Sequence, residues 1–301
     1  MFVMEVPFLN LDQIYESGQC PRWIRLRESK YVIQNGDKAL KVEQQKGRLI
    51  MSCSEEDFYE IWFKYFDLDT DYAHSFYALG MNEMFLKICA VRGQGVRILR
   101  QDLFESIITS VISSWCDLSI TRHAVQMLNI VCGVKRVQAM REAGRITWYE
   151  FPTPEAIIEN QDKLDTGYFG FLKEKILDVC QDIADGWLDL DLLKTLSYAD
   201  AKEYLLQFES FDMKAADQIC LYGLHHLCAF PENESVEDAI ARELDCDIET
   251  FTSWFIGDLN GYEGIIYQYI FNNELNPPKN GNWLQDIKRV YEEQKKSRRN
   301  K

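Results

Sequence analysis

Gly95-Val96-Arg97-Ile98-Leu99-Arg100-Gln101-Asp102 is the stretch on which the reading of the chain turns, because the character of the sequence changes across it. Upstream, from about residue 9 to 53, Pro21-Arg22-Trp23-Ile24-Arg25-Leu26, Tyr31-Val32-Ile33-Gln34 and Leu49-Ile50-Met51-Ser52-Cys53 read as strands, with turns at Asn35-Gly36-Asp37 and Lys46-Gly47. Ser54-Glu55-Glu56-Asp57 then has the form of a helix N-terminus, and Phe58, Ile61, Trp62 and Tyr65 recur at helical spacing. Downstream, amphipathic helices are expected over 102–114, 120–132, 154–160, 171–187, 198–208 and 213–225, separated by short polar breaks. The expected class is α+β: an antiparallel α+β lobe (1–94), an all-helical domain (95–290) and a basic tail (291–301) without fixed structure.

Composition narrows the function. The 301 residues are 47% hydrophobic, enough for packed cores, and no apolar run reaches the roughly 20 residues of a bilayer span. The opening MFVMEVPFLNLDQ lacks a basic region and an apolar signal core, so a soluble, cytoplasmic protein with no membrane partner is expected. Nine cysteines occur without a CxxC pair, which argues against a zinc ribbon or a disulfide framework and for reduced, packed thiols. Acidic residues outnumber basic ones by 48 to 33, a net charge of −15, which disfavours a broad phosphate-gripping face and confines any nucleic-acid contact to a local groove. Adjacent His225 and His226 would face apart on a helix, so no metal site is expected there, nor any cofactor elsewhere.

Several segments together resemble the 8-oxoguanine branch of the helix-hairpin-helix DNA glycosylases. Ser17-Gly18-Gln19-Cys20-Pro21-Arg22-Trp23 resembles that family's SGQ-x-F-R-W strand, and Tyr65-Phe66-Asp67-Leu68-Asp69-Thr70-Asp71-Tyr72 its Y-F-D-L-x-x-D-Y turn. Residues 95–102, continuing to Ser113-Ser114, resemble the opening of its helical domain; Phe151-Pro152-Thr153-Pro154-Glu155 and Tyr262-Glu263-Gly264 with Ile270-Phe271 complete the series. One such match would be weak, but five in the family's order, from residue 9 to about 276, make coincidence improbable. The resemblance implies a TBP-like α+β lobe packed on a helix-hairpin-helix domain, with duplex DNA and an extruded damaged base in the cleft between them.

It also implies site residues. Phe208-Glu209-Ser210-Phe211-Asp212-Met213-Lys214-Ala215-Ala216-Asp217 stands where the family has its hairpin, which sets Lys214 at the place of the amine that forms a Schiff base; its other reading is a solvated lysine in a first helical turn. The hairpin's two glycines are replaced by Ser210 and Asp212, and a carboxylate there would repel phosphate or simply cap the helix. In Ala229-Phe230-Pro231-Glu232-Asn233-Glu234, Asn233 falls where the partner aspartate is expected, with Glu232 and Glu234 as candidate substitutes. An amide cannot supply the aspartate's charge.

Around the extruded base, Gly18 matches the position whose carbonyl distinguishes 8-oxoguanine, and Phe271 the stacking ring. Gln218 replaces a family cysteine, and Tyr267, with Gln268 next to it, the pocket glutamine. On the DNA-facing side, Trp115-Cys116-Asp117 replaces an asparagine-rich run, and Phe169 in Gly167-Tyr168-Phe169-Gly170 replaces the arginine that contacts the estranged cytosine. Trp115 is either a wedge for the DNA gap or an aromatic buried at a helix end. The four-cysteine cluster of some relatives is absent, so no iron–sulfur centre is expected. The implied function is a DNA glycosylase with associated AP lyase activity; the replaced residues also fit a catalytically degenerate member that binds a protein partner or modified nucleic acid.

Overall fold

The computed structural model describes residues 1–72, 84–140, 144–165, 169–255 and 261–277. The basic tail, the end of the expected helical domain, and Gly167 and Tyr168 lie outside these residues. Five antiparallel strands, β1 (Phe2–Glu5), β2 (Ile24–Arg27), β3 (Lys30–Asn35), β4 (Lys38–Gln45) and β5 (Arg48–Met51), form a sheet in the order β1-β5-β4-β3-β2. Between the paired residues Gln45 and Arg48, Lys46 and Gly47 both adopt positive φ, +51° and +79°. That two-residue geometry matches the twist of the strands it joins.

A helical run, α2 (Glu55–Asp57, Phe58–Trp62 and Phe63–Tyr65), starts at Ser54, whose side chain accepts a hydrogen bond from the Asp57 amide. Its buried Phe58, Trp62 and Tyr65 join Tyr31, Ile33, Leu40 and Val42 of the sheet in one hydrophobic core. Two elements differ from the sequence reading. β1 lies ahead of the expected strand region, its four residues too few to show alternation, and the strand-like stretch contains a helix, α1 (Leu11–Glu16), capped by Asn10.

A second core gathers the helices: α3 (Met84–Gly93), α4 (Leu103–Trp115), α5 (Leu118–Cys132), α6 (Pro154–Glu159), α7 (Leu172–Ala184), α8 (Leu190–Leu193), α9 (Tyr198–Leu205), α10 (Met213–Gln218), α11 (Glu234–Leu244), α12 (Ile248–Phe255) and α13 (Glu263–Leu275). This part is not wholly helical, since a hairpin of β6 (Lys135–Met140) and β7 (Gly144–Tyr149) interrupts it. Helix α10 runs on as a wider π turn, Ile219–Gly223, and the chain then reverses at His225, whose φ is +59°, so the expected helix to 225 stops short. None of the helices among the described residues is long and apolar enough to cross a membrane.

The opening stretch joins the two cores. Val96 and Ile98 are buried in the helical core, whereas Leu99 is buried in the sheet core. Gln19, ahead of β2, holds this crossing: its amide donates to the Arg97 carbonyl and accepts from the Leu99 N–H, both at 2.8 Å. Arg22 adds a buried ion pair to Glu105 of α4 at 2.5 Å and donates to the Tyr149 carbonyl at 3.1 Å.

Candidate functional site

A cavity of about 250 Å³ opens where the two cores meet, lined by the 17–19 turn, one face of α4, the start of α5, α10, the start of α11, and α13. Lys214 reaches it from the first turn of α10. Asp212 begins that helix, its carboxylate accepting from the Ala215 amide at 2.7 Å, which fixes the direction in which the lysine leaves the backbone. The Lys214 ammonium donates to the Ser113 carbonyl at 3.2 Å, in the last turn of α4. There the exposed carbonyls of the helix end favour a cation.

Gly18 faces the amine's cavity from the other core. Its φ of +87° suits glycine, and a Cβ there would come within 2.7 Å of the Leu118 side chain. The turn is held from below by Gln268, whose amide donates to the Ser17 carbonyl at 3.4 Å and accepts from the Tyr222 hydroxyl at 2.7 Å. Gln268 is fully buried and positions the turn; the residue of that pair that lines the cavity is Tyr267. Tyr267 and Phe271, one helical turn apart on α13, stack at 5.9 Å with 7° between their planes. Burial, then the charge of Asp217, push the Tyr267 phenol up, and a hydrogen bond with Asn233 works against them. Gln218 completes this wall, accepting from the Ser113 hydroxyl at 2.5 Å.

Asn233 also lines the cavity, but its side-chain oxygen is engaged by the Ser235 and Val236 amides, at 3.0 and 3.3 Å, as the cap of α11. Glu232 and Glu234 are exposed and do not line the cavity, so neither carboxylate takes the place of an aspartate at 233. Residues on either side of an extended N-cap diverge, which sends both outward. The acidic side chain that does line it, among the described residues, is Asp117, which caps α5 through the Ile120 amide at 2.9 Å.

Other expected positions move. Phe169, expected to face DNA, is 1% exposed and packs in the helical core; the ring that reaches solvent two residues on is Phe171. Ser210 is buried as well, because the turn before α10 packs Phe211 into the same core. Burial of Trp115 at the helix end does not occur: it is 53% exposed. Asp212 is exposed and accepts a second hydrogen bond, from the Ser114 hydroxyl at 3.1 Å.

The polar face of α4 went unnoticed in the sequence. Ser106, Thr109, Ser110 and Ser113 all line the cavity, at the i, i+3, i+4, i+7 spacing of one helical face. That periodicity is readable in an otherwise apolar segment. The buried Thr109 hydroxyl has no hydrogen-bond partner among the described residues.

The arrangement combines a primary amine, a flat aromatic wall, a carbonyl-bearing turn and a row of hydroxyls. It can receive a planar heterocycle and bring an amine to the carbon that carries it.

Comparisons with known proteins agree with this architecture. The model of the 8-oxoguanine DNA glycosylase N-terminal domain matches residues 2–107. An N-glycosylase/DNA lyase of Saccharomyces cerevisiae is 25% identical over 245 residues, which cover 72% of this chain and only 63% of the yeast protein. The 8-oxoguanine glycosylase/lyase of Clostridium acetobutylicum, solved with double-stranded DNA containing cytosine opposite 8-oxoguanine, superimposes with a TM-score of 0.80 at 26% identity, covering 89% of this chain and 92% of that one. MBOgg1, solved with a low-affinity DNA ligand, gives a TM-score of 0.82 at 25% identity, covering 90% and 94%. A matching N-terminal domain, a glycosylase/lyase relative and superpositions over nearly the whole chain agree: the chain resembles the 8-oxoguanine DNA glycosylases in sequence over its N-terminal domain and shares the fold of the solved 8-oxoguanine glycosylase/lyases along most of its length.

Proposed function

We propose that the protein removes an oxidised purine of the 8-oxoguanine class from duplex DNA and then opens the abasic site with Lys214. One observation carries this reading: Gly18, Lys214 and Phe271, from three distant parts of the chain, line the same cavity. The nucleotide would leave the base stack, its base entering beside Tyr267 and Phe271. In its neutral form the Lys214 amine attacks C1′; the glycosidic bond breaks and the base departs with a proton. Transfer of the amine's one remaining proton to the sugar ring oxygen as the ring opens leaves a Schiff base, and removal of a C2′ proton expels the 3′ phosphate.

Positive charge develops on the sugar as the base leaves, and Asn233, an uncharged amide whose oxygen is already held by the first amides of α11, supplies no carboxylate to meet it. The base-removal step therefore runs with less electrostatic help than the Schiff-base step, which needs only the amine and an aldehyde.

Borohydride trapping on 8-oxoguanine:cytosine and abasic duplexes tests the assignment. A covalent adduct is expected with both, faster with the abasic duplex, and none with Lys214→Ala. An adduct that persists in the alanine variant would remove Lys214 from this role, and the absence of any adduct or duplex binding at low salt would overturn the enzymatic reading.

A further inference from the structure

We infer that Trp115, Phe171 and Lys175 form a stacking platform that fills the gap left by the extruded nucleotide and accepts any base on the opposite strand. The inference rests on the glycosylase reading and adds to it how the second strand is handled.

Trp115 ends α4, and the next two residues, Cys116 and Asp117, line the cavity that holds Lys214. The indole therefore stands at the cavity's edge. Phe171 immediately precedes α7 and Lys175 lies in that helix's first turn. The two rings are 53% and 55% exposed and meet edge to face at 5.6 Å, with 76° between their planes. The Lys175 ammonium sits 4.9 Å from the indole centroid. Large aromatic side chains left this open, braced against each other and carrying a cation, have the components with which proteins hold unpaired bases.

The electrostatics of the neighbouring surface point the same way. A helix N-terminus next to a DNA site ordinarily offers free amides to a phosphate, but on α10 Asp212 occupies one of those amides and adds a negative charge. With a net charge of −15 over the chain, phosphate contacts supply little of the grip, and contacts to base faces must supply more. Extruding a nucleotide leaves a vacancy in the stack and a base without a partner across from it; an aromatic ring inserted there restores stacking on both sides.

The same chemistry removes discrimination. Every base presents a π face, whereas reading one base against another needs paired donors and acceptors on its edge. Phenylalanine has no donor or acceptor, tryptophan has a single N–H, and the lysine amine is directed at the indole. Such a platform stabilises whatever base stands opposite and identifies none.

Binding measurements isolate this from the chemistry. Lys214→Ala protein is titrated with labelled duplexes that carry a tetrahydrofuran abasic analogue opposite each of the four bases, or opposite a second tetrahydrofuran. The expected affinities agree within about threefold across the four bases and fall by about tenfold when no base is opposite. Adding Trp115→Ala erases the difference between base and no base, and Trp115→Phe retains it. A preference of about tenfold or more for one opposite base, or a base-dependent difference that survives Trp115→Ala, overturns the platform while leaving the Schiff-base assignment standing. Failure to bind any of the duplexes overturns both, and failure of borohydride trapping alone overturns only the enzymatic reading.

Discussion

At Asn233 a neutral amide faces the cavity while its oxygen holds the first amides of α11. Asparagine and aspartate cap helices about equally well, so Asn233→Asp would change the charge on the cavity wall without loosening the helix. The expected outcome is base excision faster by on the order of 10²-fold, with little change on a preformed abasic duplex. Single-turnover rates on the two substrates measure it; equal acceleration of both would show that the carboxylate acts on the amine and not on the departing base. That Lys214, Gly18, Phe271 and Asn233 would come together at one cavity was legible in the sequence, because each falls within a run whose neighbours fix its register. Phe169 and Phe171 were not, because which of two rings turns inward depends on how α7 docks against the core, and sequence spacing across a short turn does not set that.

Helix α10 carries the amine, and at its N-terminus one residue both caps the element and places a negative charge two residues from Lys214. The Asp212 carboxylate caps the helix through Ala215 and also accepts from Ser114, so it ties α10 to the end of α4. Asp212→Asn preserves an acceptor of the same shape and removes the charge. Stability is expected to change by less than about 0.5 kcal/mol, while low-salt affinity for duplex rises several-fold, with a steeper dependence on salt. Asp212→Ala should instead cost about 1 kcal/mol, because the Ala215 amide loses its partner. Thermal melts and salt-dependent binding separate the two effects. Most elements could be read from periodicity, since α4, α5 and α7 are long enough to show a buried stripe. The β6–β7 hairpin was hidden because its two strands of six residues lie between strong helices, and β1 because its four residues gain their place only by pairing with β5.

Across the whole molecule, the contact between the cores depends on a few buried charges, and Asp67 is the most connected of them. It follows the sheet core's last helix at a positive φ of +52°, and its carboxylate accepts from Thr70 and Tyr72, each at 2.8 Å, and from Arg100 at 2.9 Å. His225, just beyond the helical run that carries Lys214, lies 3.1 Å away. Burial pushes this carboxyl up, but the neighbouring His225 imidazole, with the Thr70 and Tyr72 hydroxyls, outweighs it and leaves the pKa at about 2. A carboxyl held below its unfolded value stabilises the fold above that value, and the contribution is lost as pH falls through the folded pKa. The window therefore runs from about pH 5 down to pH 2, and the loss is about 2 kcal/mol. Glu105 has the opposite sign: burial pushes its carboxyl up despite Arg22, so its contribution declines as pH rises. Comparison with Asp67→Asn cancels that second effect, since both proteins keep Glu105. Denaturant unfolding between pH 7 and pH 2 should show the unsubstituted protein losing about 2 kcal/mol more than Asp67→Asn, all of it below about pH 5. Because His225 joins the Asp67 cluster to the element bearing Lys214, adduct formation should weaken over the same acid range in the unsubstituted protein, and parallel pH curves for the two proteins would show that Asp67 does not hold the cores together.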